Sequence, residues 1–182
     1  AGLGPGAKVS LFMYNSNEFM ESQFGVFKMR GVPINVNYRY TDAELDYLFT
    51  NADVVALAVE EADHQQSVAR MLDRLPLVRT VFVVGEPHAD LERAAGDRGV
   101  ALVPLAQAEE CSSGRDFEPR TGEEHYILYT GGTTGYPKGV VWTHDDLFHK
   151  PLSGGNPYGD AHPDLEAIAT AAEAMPPISF LI

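Results

Sequence analysis

The residues with most chemistry in this chain form one run, Thr130-Gly131-Gly132-Thr133-Thr134-Gly135-Tyr136-Pro137-Lys138-Gly139. Gly131, Gly132 and Gly135 let the backbone turn its N–H groups inward and come close to an anion. The hydroxyls of Thr130, Thr133 and Thr134 suit phosphate oxygens or a magnesium ion, and Lys138 adds a charge-assisted contact. Together they have the composition of a loop that grips a triphosphate. The bland alternatives are a Gly/Thr-rich hairpin with no ligand and a solvated loop lysine.

The flanks decide what kind of loop this is. Apolar Tyr126-Ile127-Leu128-Tyr129 precedes it and Val140-Val141-Trp142 follows, so it reads as a loop between two strands. In the P-loop NTPase signature the lysine directly follows a glycine, precedes Ser or Thr and opens a helix. Here Tyr136 and Pro137 separate Gly135 from Lys138, and Gly139 follows the lysine. The dinucleotide-binding G-x-G-x-x-G spacing fails as well. The segment from Tyr129 to Val140 resembles the phosphate loop of the adenylate-forming superfamily, Tyr-Thr-(Ser/Gly)-Gly-Thr-Thr-Gly-x-Pro-Lys-Gly-Val, and agrees at every specified position. That superfamily includes acyl-CoA synthetases, luciferases and the adenylation domains of peptide synthetases.

The resemblance implies ATP, Mg²⁺ and coenzyme A as cofactor and co-substrates, and a carboxylic acid activated through an acyl-adenylate. Carried onto this sequence, it implies that Thr130, Gly131, Gly132, Thr133, Thr134, Gly135 and Lys138 bind the nucleotide. Lys138 and Thr134 are the expected catalytic contacts, with Thr134 beside the metal. Tyr136 occupies the unspecified position and receives no role. His144 is read first as a structural hydrogen-bonder, with orientation of the loop as the alternative. Asp145 and Asp146 have the spacing of helix caps.

Composition bounds the rest. The chain has 182 residues, 45% hydrophobic and 21% charged, enough for one hydrophobic core. A net charge of −13 without a basic patch argues against nucleic acid as a partner. The single cysteine, Cys111, excludes an internal disulfide and fits a reducing cytoplasm, the expected location. It lies in a polar stretch and reads as an ordinary loop thiol. The histidines show no ligand spacing. No apolar run approaches a membrane span and no signal peptide is visible. The opening Ala-Gly-Leu-Gly-Pro-Gly lacks an initiator methionine, so a beginning elsewhere is expected.

Strand-like and helix-like segments alternate, which predicts an α/β fold with a mainly parallel sheet flanked by helices. Strands are expected at Val9 to Tyr14, Val32 to Val36, Val54 to Val59, Thr80 to Val84 and Val100 to Val103. Helices are expected from Glu18 to about Met29, with Asn15, Ser16 and Asn17 as candidate caps, and after the capping box Thr41-Asp42-Ala43-Glu44. Phe19, Met20, Gln23, Phe24 and Phe27 are read as a core-packing face of the first helix. Leu45, Leu48 and Phe49 should be the buried side of the second. A helix from Glu61 to Leu75 should turn Val68, Met71 and Leu72 inward, and a short one is expected near Asp90 to Ala95. Gln107 to Glu124 reads as a loop. Beyond Trp142, a helix beginning at Thr143 should put Leu147 and Phe148 inside. Pro151 to Pro163 reads as a long loop, Asp164 to Ala174 as a helix and Met175 to Ile182 as a strand-like end.

The likeness to acyl-CoA synthetases covers about residues 6 to 177. Val9 to Asn51, with Gly31-Val32-Pro33 and the Asn37-Tyr38-Arg39-Tyr40 turn, looks like the early part of their large domain. The Gly-Gly-Thr-Thr-Gly loop followed by Val-Val-Trp and a Gly-rich insert is similar to actinobacterial synthetases for long-chain or steroid side-chain acids. The superfamily's later elements are a glutamate near magnesium, an aspartate on the ribose, a hinge and a small C-terminal domain with a lysine, and none is in this sequence. Residues 1–182 are therefore expected to be an incomplete N-terminal, AMP-binding domain, a partial large domain unable to complete turnover by itself. After Pro176-Pro177 the family tends toward an apolar residue and a histidine, whereas this chain has Ile178-Ser179-Phe180. Two other classes remain open: an ATP- or phosphate-binding module without ligase chemistry, and an inert remnant that associates through exposed apolar faces.

Overall fold

In the first strand, alternate side chains serve two different cores, and this sets the architecture. Within β1 (Lys8–Phe12), Val9 and Leu11 join a small cluster with Phe19 and Val26, while Phe12 joins a larger one with Leu45, Leu57, Val68 and Leu91. The computed structural model describes residues 2–110, 121–131, 135–156 and 159–174 and comprises two units, Ala1–Trp142 and Thr143–Ile182.

The first unit continues with α1 (Asn17–Lys28), β2 (Val32–Asn35), α2 (Asp42–Asn51), β3 (Ala56–Val59), α3 (Ala62–Met71), β4 (Thr80–Val83), α4 (Ala89–Arg98) and β5 (Ala101–Pro104). A short α5 (Leu105–Glu109) follows, then β6 (His125–Thr130) and β7 (Lys138–Thr143). The sheet order is β5-β4-β3-β1-β2-β6-β7. The pairs β1–β2, β1–β3, β2–β6, β3–β4 and β4–β5 are parallel, as the alternation of elements predicts. A parallel sheet needs both faces covered. Here α1 covers one face, over the small side chains of Ala56 and Ala58, and α2, α3 and α4 cover the other.

Local signals fix the helix starts. Ser16 Oγ accepts from the Phe19 N–H at 3.1 Å. The predicted capping box is present at α2: Thr41 Oγ1 accepts from Glu44 N–H, and Glu44 Oε2 accepts from Thr41 N–H at 2.8 Å. Leu45, Leu48 and Phe49 are buried, as are Val68, Met71 and Leu72 after them. Ion pairs Asp42–Arg70 (2.7 Å) and Asp46–Arg74 (3.2 Å) tie α2 to α3 and to the turn that ends it.

Several expectations change. On α1 the buried face is Phe19, Ser22 and Val26, whereas Met20 is 48% and Phe24 61% exposed. Met20, Phe24 and Phe27 form a second stripe at helical spacing, and the sheet accepts only one of the two. Phe24 lies edge-on to Phe27, and Phe27 to Tyr126 of β6. The fourth helix runs on to Arg98, closed by Gly99, and the helix Leu105–Glu109 extends into the loop expected from Gln107. In the second unit, α6 (His144–His149) buries no residue fully, so Leu147 and Phe148 are half-buried. The 3-10 turn Ser153–Gly155 interrupts the expected loop, and α7 (Leu165–Ala174) follows. Cys111 and Met175 to Ile182 lie outside the described residues. Among those described, no helix is long and apolar enough to cross a membrane.

One long-range ion pair brings the chain to the start of β6. Arg30 Nε donates to Glu124 Oε1 at 2.9 Å across 94 residues, and Glu124 Oε2 accepts from Gly122 N–H at 3.0 Å. Burial pushes the Glu124 carboxyl up, but N–H donors from its own backbone, Thr121 and Gly122, together with the Arg30 charge, hold it below its ordinary value. A lowered carboxylate pKa contributes stability that is present above the unfolded value of about 4.3 and lost as pH falls through the folded value. Glu124→Gln should therefore lower the thermal midpoint at pH 7, and the gap from the parent should close as pH is taken below 4.3, as followed by circular dichroism. A gap that does not change with pH would refute this account of the pair.

Candidate functional site

The Thr130–Gly139 run connects the two strands at one edge of the sheet. Strand β6 pairs with β2, Ile34 opposite Ile127 and Asn35 opposite Leu128. This pairing carries Thr130 to an exposed position at the strand's end. Tyr129, immediately before it, is 8% exposed and part of the larger core cluster. Its hydroxyl donates to Asn51 Oδ1 at 2.7 Å, at the end of α2. Burial, assisted by Tyr47 and Asp53, pushes the Tyr129 phenol up and keeps it a neutral donor.

The far side of the loop returns as a strand. Lys138 opens β7 and is exposed, directly after a buried Pro137. No helix springs from Gly135, so the expected strand–loop–strand context holds and the helix-opening phosphate turn is excluded. Gly135 has φ of +154°, a conformation rarely open to residues with a side chain. A side chain at Gly139 would be crowded: a Cβ there would lie 3.0 Å from the Tyr129 ring and 3.2 Å from an Ile127 methyl.

Of the predicted binding residues, Thr130, Gly131, Gly135 and Lys138 are described, and all four are exposed. A Cβ built on Gly131 meets no atom within 4 Å, so the approach to its backbone is open. Gly132, Thr133 and Thr134 lie outside the described residues, and with them the expected metal neighbour. In the second unit, His144 is half-buried at the start of α6, where Thr143 caps the helix by accepting from the Asp146 N–H at 3.0 Å. Asp145 and Asp146 face His149 (3.5 Å) and Lys150 (2.8 Å) one turn on, as helix-surface pairs do. No group of three His, Cys, Asp or Glu suited to a metal occurs among the described residues.

The structure also brings in residues that have no role in the sequence reading. Tyr136, 58% exposed, stacks on Tyr47 of α2 with ring centroids 4.6 Å apart and planes 26° from parallel. The two rings border an open groove of about 550 Å³ with Ala43, Asp46, Thr50 and Asn51. Tyr47 and Asn51 are four residues apart, hence on one side of the helix, and that spacing was the available sequence signal.

The fold defines an α/β protein with a parallel sheet and a glycine-threonine loop at one edge. The profile of the family described as AMP-binding enzyme matches residues 1–172, and the chain belongs to that family. It is 46% identical over 154 residues to a 3-oxocholest-4-en-26-oate–CoA ligase of Rhodococcus rhodochrous, covering 85% of this chain and 27% of that protein. It is 39% identical over 174 residues to a medium/long-chain-fatty-acid–CoA/3-oxocholest-4-en-26-oate–CoA ligase of Mycolicibacterium smegmatis, covering 94% and 30%. Among solved structures, the apo structure of Mycobacterium smegmatis MbtA superposes with a TM-score of 0.68 at 26% identity, over 85% of this chain and 27% of that one. The chain thus spans under a third of the length of the relatives it matches.

The Gly139 contact gives a direct test of the loop's closure. Gly139→Val should force the Tyr129 ring or the β7 backbone to move and cost about 1–3 kcal/mol, read from the midpoint of urea unfolding. An unchanged midpoint would show that β7 does not lie against Tyr129 in solution.

Proposed function

We propose that the chain is the ATP-handling, N-terminal part of an acyl-CoA ligase that activates a fatty or steroid side-chain acid. The observation that carries this reading is an exposed Lys138 opening a strand after a glycine-threonine loop that itself follows a strand. The acid class rests on the relatives, which are named for fatty acids and 3-oxocholest-4-en-26-oate.

In this reading a substrate carboxylate oxygen attacks the α-phosphorus of ATP, and the bond to the bridging oxygen breaks to release pyrophosphate. A thiolate, that of coenzyme A, then attacks the acyl carbon and AMP leaves. The loop's task is to hold the β- and γ-phosphates in line and to neutralise charge growing on the departing pyrophosphate. Backbone N–H groups of Gly131, Gly132 and Gly135 and the hydroxyls of Thr130 and Thr133 take the phosphate oxygens, and Lys138 takes the leaving pyrophosphate. Thr134 would help hold magnesium through its hydroxyl, and the ion would supply further neutralising charge. The described residues suit such a ligand: Thr130, Gly131, Gly135 and Lys138 are open to solvent, and no buried acid opposes a polyanion in this loop.

Residues 1–182 are read as an incomplete AMP-binding domain, since the relatives are more than three times as long as the matched part. Turnover then requires the adenine, ribose and thiolation contacts supplied by the remainder of such a protein. Millimolar Mg·ATP should raise the thermal midpoint of the 182-residue chain by about 5–10 °C, what one site at a hundred times its dissociation constant supplies. Lys138→Ala should abolish most of that rise. ATP–pyrophosphate exchange with a panel of fatty and steroid acids should be absent in the 182-residue chain. Exchange at enzymatic rates would overturn the claim of incompleteness, and no response to ATP would favour an inert remnant.

A further inference from the structure

The face of α2 turned toward the loop carries two contacts that the phosphate-binding sequence does not account for. Tyr129 and Tyr136 lie at the two shoulders of the loop, seven positions apart, and both reach the same turn of α2. Tyr129 reaches it through a hydrogen bond of 2.7 Å to Asn51, and Tyr136 through a ring stack of 4.6 Å on Tyr47. Both contacts lie within the first unit, whose boundary follows Trp142.

The Tyr129 bond satisfies a phenol buried in the core, but core formation does not explain the Tyr136 contact. Tyr136 is 58% exposed, so its ring is held by Tyr47 rather than by burial. A loop rich in glycine loses more conformational entropy on ordering than any other kind of segment, and it keeps a phosphate-ready shape only if something outside it restrains it. The helix that supplies the restraint is itself fixed, by the Leu45, Leu48 and Phe49 core and by Arg70 and Arg74 on Asp42 and Asp46. Pro137, buried and with its φ fixed by the ring, joins Tyr136 to Lys138 and limits the freedom between them.

We propose that Tyr47 and Asn51 of α2 are positioning residues that clamp both shoulders of the phosphate loop and thereby set where Lys138 stands. They touch neither nucleotide nor acid; they act through Tyr136 and Tyr129. The consequence for nucleotide affinity rests on the ATP reading above, whereas the clamp itself does not. An ordered loop binds a polyanion without first losing entropy, so loosening the clamp should weaken ATP binding without unfolding the sheet.

Two measurements on the 182-residue chain separate these claims. Hydrogen exchange of the peptide spanning residues 129–139, without nucleotide, tests the clamp. Tyr47→Ala and Tyr136→Ala should each speed exchange there by about two- to tenfold, the range expected of one aromatic pair. The double variant should add little to either single one, because both remove the same stack. Tyr47→Phe should restore protection, since it keeps the ring and removes only the hydroxyl, and Asn51→Leu should free the Tyr129 side of the loop. Exchange in β1 and β3 should not change in any variant. Tyr136→Ala, at an exposed site, keeps the test decisive if Tyr47→Ala perturbs folding.

The second measurement is the Mg·ATP dissociation constant, which should rise by a similar factor in the alanine variants and return in Tyr47→Phe. Loop exchange unaltered by Tyr136→Ala, or strictly additive effects of the two alanine substitutions, would overturn the clamp. If the parent binds no ATP while loop exchange responds as stated, the clamp stands and the nucleotide reading fails.

Discussion

The requirement that a parallel strand be reached by a long crossover governs this molecule. No tight turn can set β6 beside β2, so the intervening chain must leave the sheet, cross a face and return. Here the connection runs through α2, β3, α3, β4, α4, β5 and α5, adding three strands on the far side of β1 in the same sheet before the chain comes back to β2. On return it is received by Arg30, whose guanidinium meets the buried Glu124 carboxylate one residue before β6. The register Ile34 to Ile127 then follows, and with it the point where Thr130 leaves the sheet. The loop's location is thus a consequence of where the β2–β6 pair forms, and the helix laid down during the excursion, α2, becomes the wall beside it.

That wall has two sides with different duties. Its apolar side, Leu45, Leu48 and Phe49, is committed to the core, and its polar side, Tyr47 and Asn51, meets the loop. Tyr129 belongs to both environments: its ring is buried in the cluster while its hydroxyl reaches Asn51. A buried phenol must find a hydrogen-bond partner. The demand for one fixes the orientation of the side chain against which Gly139 then packs. The crowding at Gly139 is consequently a packing effect, although the glycine sits next to the charged residue of the motif.

What was legible in the sequence is what depends on neighbours along the chain. The capping box at Thr41, the alternation of strands and helices, the inward residues of α2 and α3, and the strand–loop–strand setting of Lys138 are all local patterns, and they appear as read. The face of α1 was not legible. Its apolar residues spread over an arc wider than one contact face, so periodicity alone offers two stripes. The choice of Phe19 and Val26 over Met20 and Phe24 is made by the shallow floor of Ala56 and Ala58 on a distant strand. Tyr136 was invisible for the same reason. It fills an unspecified position in the motif, and its partner Tyr47 lies in an earlier helix.

The charge of the chain bears on how such a loop can work. The −13 charge of these 182 residues disfavours a polyphosphate, so in the ATP reading they contribute no long-range steering. At physiological salt the field of distant carboxylates is screened within about 8 Å, and the interactions that survive are contacts. In the ATP reading proposed above, backbone N–H groups, threonine hydroxyls and one lysine would be contacts of this kind, with a strength that depends on geometry more than on the surrounding field. A site that cannot rely on attraction from afar must rely on being in shape when the ligand arrives. A glycine-rich segment has the approach room to bind phosphate but not the stiffness to hold that shape by itself. The stiffness therefore has to come from outside the segment, and in this fold the nearest rigid body offering side chains to both of its shoulders is α2.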